Sequence, residues 1–142
     1  MVEEIKDNDQ ILGLIIRADF DRKGVHFFTP DNFSQQLAYM HHPAGKTIAA
    51  HCHSAQPRNV EFTQEVLIIR KGALRVDFYR TDKSYLESRI LRSGDVILLA
   101  HGGHGFEVLE EIEMIEVKQG PYRGEGEKTP FPGIAPDQIK II

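Results

Sequence analysis

Short apolar runs recur along this chain, and glycine, proline, aspartate, asparagine and serine separate them. Runs of this length with turn-forming residues between them are typical of β-strands. No run continues with helical periodicity, apart from one turn that could begin at 31–35. The pattern predicts an all-β chain with ten strands: Ile11–Arg17, Val25–Thr29, Gln36–His41, Lys46–His53, Glu65–Arg70, Leu74–Tyr79, Tyr85–Leu91, Asp95–Leu99, Gly105–Leu109 and Glu113–Lys118.

One of these runs indicates the kind of sheet to expect. Leu74, Val76 and Phe78 point to one face, and the residues between them and after them are charged or amphipathic. This alternation predicts one packed face and one wetter face, as in a β-sandwich or β-barrel. Residues 71–73, with a central glycine, read as the tight turn of a hairpin between two strands.

The pattern changes after Gln119. Prolines and glycines punctuate residues 120–142, which predicts an irregular surface tail. Its apolar residues, Phe131, Ile134 and Ile139, would dock it on the barrel or on a partner subunit, unless the end frays. The length of 142 residues fits a single domain, 1–142, with a core at about 10–119.

Composition and charge exclude several function classes. The formal net charge of −4 and the absence of a basic block give no general attraction to nucleic acid or anionic lipid. No apolar run approaches the ~18 residues of a membrane span, and the start of the chain is acidic where a signal peptide would be basic. The one cysteine, Cys52, rules out an intramolecular disulfide. We therefore expect a soluble cytoplasmic protein.

Two histidines stand in one predicted strand, as His51–Cys52–His53. Residues i and i+2 of a strand point to the same face, so both imidazoles project together and Cys52 points away. Paired imidazoles can bind one metal ion, although two histidines on a wet strand face are the simpler interpretation of this pair alone.

Two later residues add to this pattern. Glu65 begins an apolar run and shares its face with Leu67, and an acid in that position is costly to bury without a partner. His104 follows a glycine-rich turn and is in phase with Phe106 and Val108. Together with His51 and His53, Glu65 and His104 make a mixed nitrogen and oxygen ligand set that leaves room for water or substrate.

These residues resemble the cupin superfamily. The first motif of that family has a glycine, five residues, His-x-His, a glutamate, six residues and a second glycine. Gly45, His51, His53, Glu65 and Gly72 match it, with 54–64 as a loop insertion.

The second cupin motif is matched less completely. Gly94 and the glycine at 102 fit, but Ala100 replaces a proline, the histidine at His104 comes one residue early, and Val108 stands in place of an asparagine. His104 is therefore the preferred fourth ligand. His101 is the alternative, because it is in phase with the preceding strand.

The resemblance implies a double-stranded β-helix, or jelly-roll barrel, with one divalent transition metal near its open end. Zinc, iron, manganese and nickel all suit three imidazoles and a carboxylate. It also implies a homodimer and a small-molecule ligand.

Two functions follow from the resemblance. The first is an enzyme of the isomerase, dioxygenase or decarboxylase kind, acting on a sugar derivative or small organic acid, with a tie to carbohydrate metabolism. The second is a non-catalytic metal-dependent module, or a barrel whose metal is structural. The catalytic residues are unknown, because the titratable groups outside the ligand set are explained as surface or core: Tyr39, His41, His42, Tyr79, Glu107 and Glu116.

Overall fold

The protein is described by a computed structural model that covers all 142 residues. It contains eight strands and two short 3-10 helices, at Glu125–Glu127 and Pro136–Gln138. Neither helix is long or apolar enough to cross a membrane. The strands are β1 (Val2–Asp7), β2 (Gln10–Ile16), β3 (Gly24–Phe27), β4 (Ala38–His41), β5 (Glu65–Tyr79), β6 (Tyr85–Arg92), β7 (Val96–Leu99) and β8 (Gly103–Lys118).

Strand β5 is the centre of the main sheet. One of its edges pairs first with β7 and then with β6, and its other edge pairs with β8 along almost the whole length. Strands β2 and β1 extend the sheet beyond β7, and every pairing is antiparallel. The sheet curls into half a barrel, which confirms the all-β prediction. Strands β3 and β4 form a separate two-stranded sheet.

The core lies on the concave face of the half-barrel. It is built from the inward positions that the alternation predicts, including Leu74, Val76 and Phe78, all of which are fully buried. Leu67 and Ile69 continue the same face toward the start of β5. Burying these side chains is the main stabilising contribution, at about 25 cal/mol per Å² of apolar surface.

The predicted hairpin turn at 71–73 is wrong, because β5 runs through it without a break. Gly72 has φ +84°, and the ladder to β8 shifts register on both sides of it. A Cβ at Gly72 would stand 2.1 Å from the carbonyl oxygen of Glu111. Only glycine allows both this backbone conformation and this close approach, so residue 72 is where the long strand bends. The predicted strands Gly105–Leu109 and Glu113–Lys118 likewise form one strand, β8.

Strand β1 was not predicted. Its acidic residues conceal the alternation, but Ile5 is fully buried in the core. The two-residue loop after it includes Asn8 at φ 53°, a conformation that asparagine tolerates well. The sequence feature that indicates β1 is the turn at Asp7–Asn8–Asp9, which implies a strand on each side of it.

The predicted strand 46–53 is also absent. Residues 46–63, here called the arm, form no strand and are all exposed. A strand is stabilised by hydrogen bonds to a neighbour, and no strand lies beside this segment. The arm thus leaves the outer edge of β8, the edge not paired with β5, without a neighbour.

The tail docks on the chain's own sheet. The amide of Ser88 donates to the carbonyl of Lys140 at 2.8 Å, and the amide of Ile142 donates to the carbonyl of Ser88 at 3.0 Å. Farther back, the amide of Ile134 donates to the hydroxyl of Tyr79 at 2.9 Å. Of the three fates predicted for the tail, docking on the barrel is the one observed.

Candidate functional site

Glu65 is the first residue of β5 and lies between two strands. Leu99 of β7 is its partner on one side and Lys118 of β8 on the other. Its side chain is only 11% exposed, on the same face as the buried Leu67. A carboxylate so placed needs a charged or hydrogen-bonding partner.

His104 provides that partner. Its Nε2 atom lies 2.8 Å from the Oε1 atom of Glu65. His104 is at the start of β8 opposite Phe78, so it points to the concave face as its phase predicts. The curl of the sheet brings these two residues together although they are far apart along the β5–β8 ladder. The contact joins two of the four predicted metal ligands.

Glu116 is the third member of this group. It is opposite Leu67 on the β5–β8 ladder, so it lies on the same face as Glu65 and two residues from Lys118, the partner of Glu65. The contact with His104 lowers the pKa of Glu65 to about 2, whereas the hydrogen bond with Glu65 raises the pKa of Glu116. The two pKa values therefore move apart, with that of Glu65 lowered and that of Glu116 raised.

The other two predicted ligands lie on the arm. The ring centroids of His51 and His53 are 5.4 Å apart, so the two imidazoles are neighbours. Both are exposed, and Nδ1 of His51 lies 2.8 Å from the carbonyl oxygen of Ala49. The structure thus places the four predicted ligands in two separate pairs, Glu65 with His104 and His51 with His53. No group of three or more histidine, cysteine, aspartate or glutamate side chains is arranged here to hold a metal ion.

His101, the alternative fourth ligand, has other contacts. Its Nδ1 atom is 3.1 Å from the carbonyl oxygen of Ile11. Its ring packs edge-on against Phe33 at 5.6 Å and against Phe62 at 5.4 Å, measured between centroids. None of these contacts involves Glu65.

Two further polar clusters lie elsewhere. Asp21 accepts from Nδ1 of His41 at 2.5 Å and from the hydroxyl of Tyr39 at 3.3 Å, on an exposed surface beside β4. A surface depression of about 420 Å³ is lined by Arg17 and Asp95, whose charges are already paired at 3.0 Å. Each of these side chains is paired with another side chain of the protein, so we assign them structural roles.

Sequence reasoning undervalued Glu116. The residue is opposite Leu67 on the β5–β8 ladder and therefore on the core side of the sheet, like Glu65. The available signal was its phase: an acid at an inward position of an otherwise apolar strand. Phe106 and Val108 were predicted to share a face with His104. They do lie on the core side, but they are 42% and 55% exposed because nothing covers them.

Comparisons with protein-family models, with curated proteins and with solved structures found no match to this chain. The likeness to cupins therefore depends on the motif residues between Gly45 and His104.

Proposed function

We propose that this chain is a metal-binding barrel that takes a small oxygenated molecule, such as a sugar derivative or a small organic acid. The observation that carries the proposal is the 2.8 Å contact between Glu65 and His104. It joins a mostly buried carboxylate to an imidazole, and these are two of the donor types that divalent transition metals prefer.

His51 and His53 would complete the ligand set. They are already adjacent on the arm, and their spacing to Glu65 follows the cupin motif apart from the loop insertion. The donor set suits zinc, iron, manganese or nickel. His104 is favoured over His101 because His104 contacts Glu65, whereas His101 is engaged with Ile11 and two phenylalanine rings. The barrel would be of the jelly-roll type once its open side is covered.

A bound metal would polarise an oxygen atom of the ligand or activate water. The chain's own residues would support it in two ways. Glu65 is kept ionised by its contact with His104, as a carboxylate ligand must be. Glu116, whose pKa is raised by its hydrogen bond with Glu65, would help to orient Glu65.

Elemental analysis of the protein purified without added metal tests the proposal. We expect about one metal ion per chain in the wild type and almost none in the His51→Ala/His53→Ala double variant. The matched control is His26→Ala/His42→Ala, which removes two histidines outside the predicted site and should keep its metal. A metal-free wild type, or a double variant that retains the ion, would overturn the proposal.

A second experiment separates an enzyme from a binding module. Turnover would be measured against sugar phosphates and keto acids, under air and under nitrogen. Turnover only under air would indicate an oxygenase, and turnover under both would indicate an isomerase or decarboxylase. Saturable thermal protection without turnover, of about 2.7 kcal/mol at one hundred times Kd, would favour the non-catalytic module.

The contact of His104 with the Glu65–Glu116 pair also favours a second candidate, acid–base chemistry without a metal. An imidazole 2.8 Å from a mostly buried carboxylate is able to accept and return a proton. Activity that survives chelation and the His51→Ala/His53→Ala change, but not His104→Gln, would select this candidate.

A further inference from the structure

The aromatic ring of Phe131 joins the tail to the sheet. It packs edge-on against the ring of Tyr79, with 5.0 Å between the centroids. It also lies against Gly103, where an added Cβ would stand 2.7 Å from the Cζ atom of Phe131. The ring therefore fills the place that a side chain at residue 103 would take. One side chain of the tail thus contacts both the last residue of β5 and the first residue of β8.

The backbone of the tail is fixed at the same point. The hydroxyl of Tyr79 accepts from the amide of Ile134, and a Cβ at Gly133 would stand only 3.0 Å from that hydroxyl oxygen. Tyr79 is 4% exposed, and a tyrosine so buried needs a hydrogen-bond partner for its hydroxyl. The tail supplies that partner, so residues 131–134 and Tyr79 hold one another in position.

The start of β8 has little other support. Gly103 pairs with Tyr79 and His104 with Phe78, and β5 is the only strand beside β8. Gly102 and Gly103 in succession give the preceding turn no side chain of its own, and glycine loses the most conformational freedom on folding. A strand end with few contacts opens readily. Phe131 therefore provides packing that this turn cannot provide for itself.

His104 is the next residue along β8. Because successive residues of a strand point to opposite faces, Gly103 meets Phe131 on the convex face and His104 points to the concave face. There its Nε2 atom lies 2.8 Å from the Oε1 atom of Glu65. A hydrogen bond of this kind is lost once the two atoms are more than about 3.5 Å apart. A shift of about 1 Å at the start of β8 would therefore break the contact.

We propose that Phe131 is a positioning residue for the candidate site: by packing on Tyr79 and Gly103, it holds the start of β8 where His104 contacts Glu65. Docking of the tail and geometry of the site are then coupled, so release of the tail frees His104 from Glu65. The inference rests on the proposed function for its purpose, because His104 and Glu65 are two of the proposed ligands. Its main test needs no metal.

Hydrogen exchange followed by mass spectrometry tests the coupling, with chelator present. In Phe131→Ala we expect the protected amides of 101–108 to exchange on the order of tenfold faster, while those of β1 and β2 keep the wild-type rate. Phe131→Leu keeps apolar bulk against Tyr79 and should restore most of the protection. The matched control is Tyr122→Ala, which removes an aromatic ring of the same tail that is 79% exposed. It should behave as wild type.

The same contact can be broken from the other side. In Gly103→Ala the added Cβ would overlap the ring of Phe131, so the tail must move and 101–108 should again exchange faster. Once Phe131 is alanine, the nearest remaining atom is the Cβ of Tyr79, at an ordinary 3.4 Å. Gly103→Ala should therefore add no further loss in that background. Residues in direct contact give such non-additive effects, whereas independent sites give additive ones.

Zinc affinity gives a readout that a purely structural contact would not change. Residues that orient a metal ligand without touching the metal contribute at least tenfold to affinity, so Phe131→Ala should raise the Kd for zinc on the order of tenfold. In a His104→Gln background the same change should have no further effect, because the ligand that Phe131 positions is already gone. Competition with a chromogenic chelator measures both Kd values.

Three results would overturn the proposal. They are unchanged exchange at 101–108 in Phe131→Ala, faster exchange over the whole sheet, and additive losses for the changes at residues 103 and 131. Should Phe131→Ala not fold, as judged by circular dichroism, Phe131→Val and Phe131→Leu give the same comparison in graded form. Local exchange as expected in a chain that binds no zinc would leave the coupling standing and remove the proposed function, so the two failures are distinguishable.

Discussion

At the scale of single residues, Glu65 is the group whose surroundings matter most. It contacts an imidazole, lies on the same face of the ladder as Glu116, and has Lys118 as its partner on β8. Contact with His104 holds the pKa of Glu65 at about 2, below its ordinary 4.5. The ionised form therefore stabilises the folded chain above about pH 4.5, and this contribution is lost as the pH falls toward 2.

Replacing Glu65 with glutamine should remove that pH dependence. In the presence of chelator, we expect Glu65→Gln to lower the free energy of unfolding by on the order of 2 kcal/mol at pH 6, and the difference from wild type to shrink toward zero near pH 2. Urea unfolding at a series of pH values measures this.

Glu116→Gln is the matched control for that series. Because the pKa of Glu116 is raised, its stabilising contribution is present at low pH and is lost as the pH rises through its folded value. Glu116→Gln should therefore be neutral or stabilising at pH 7. A Glu65→Gln curve that runs parallel to wild type at every pH would contradict our account of the pair.

The sequence could predict part of this group. Phase along two strands was enough to place Glu65 and His104 on one face. It could not show that they touch, because the contact depends on the curl of the sheet rather than on either strand. Glu116 escaped prediction for a different reason: it is a diagonal neighbour of Glu65 on the β5–β8 ladder, and the register between these two strands cannot be derived from either strand alone.

At the scale of elements, the bend in β5 determines the shape of the sheet. Gly72 combines a positive φ with a backbone approach that leaves no space for a Cβ, whereas Gly45 has a similar φ of +85° and nothing within 4 Å. A comparison of the two glycines therefore distinguishes the cost of backbone strain from the cost of a steric clash.

Alanine at each position measures the two effects. Gly45→Ala should cost about 1 kcal/mol, from the left-handed backbone alone. Gly72→Ala should cost roughly 3 kcal/mol or more, because β8 must also move away at Glu111. Urea midpoints compare the variants, and equal losses would show that the strand is not held against β8 at this point.

Strands were predictable from period-two alternation, and the main core positions followed from it. The error at 71–73 arose because a glycine between two strand runs suits either a hairpin or a bend. Which of the two forms depends on whether the second run folds back on the first or continues beside β8. That choice is made by pairing with residues about forty positions away, so local sequence cannot decide it.

At the scale of the whole molecule, the half-barrel has an open side and the arm is the segment able to cover it. Lys46 is the first residue of the arm, before His51 and His53, and Arg58 lies between these histidines and β5. Both are exposed in the arm as the structure has it. If the arm covered the open side of the half-barrel, the bond after Lys46 would be protected from protease and the bond after Arg58 would stay accessible.

Trypsin distinguishes the two sites. If a metal joins His51 and His53 to Glu65 and His104, adding zinc should slow cleavage after Lys46 on the order of tenfold, while cleavage after Arg58 continues. Peptide mass analysis over time follows both bonds in one sample. The His51→Ala/His53→Ala variant should show no such protection, and equal slowing at both bonds would contradict selective closure of the arm.

The open edge of β8 also has a consequence for how the chain folds. Strand β8 is the last strand to be synthesised, and only β5 pairs with it. Its outer, apolar edge is therefore exposed to other nascent or refolding copies, which favours aggregation as concentration rises. A segment that covered this edge would shorten the exposure, so it would protect solubility during folding whether or not a metal is ever bound.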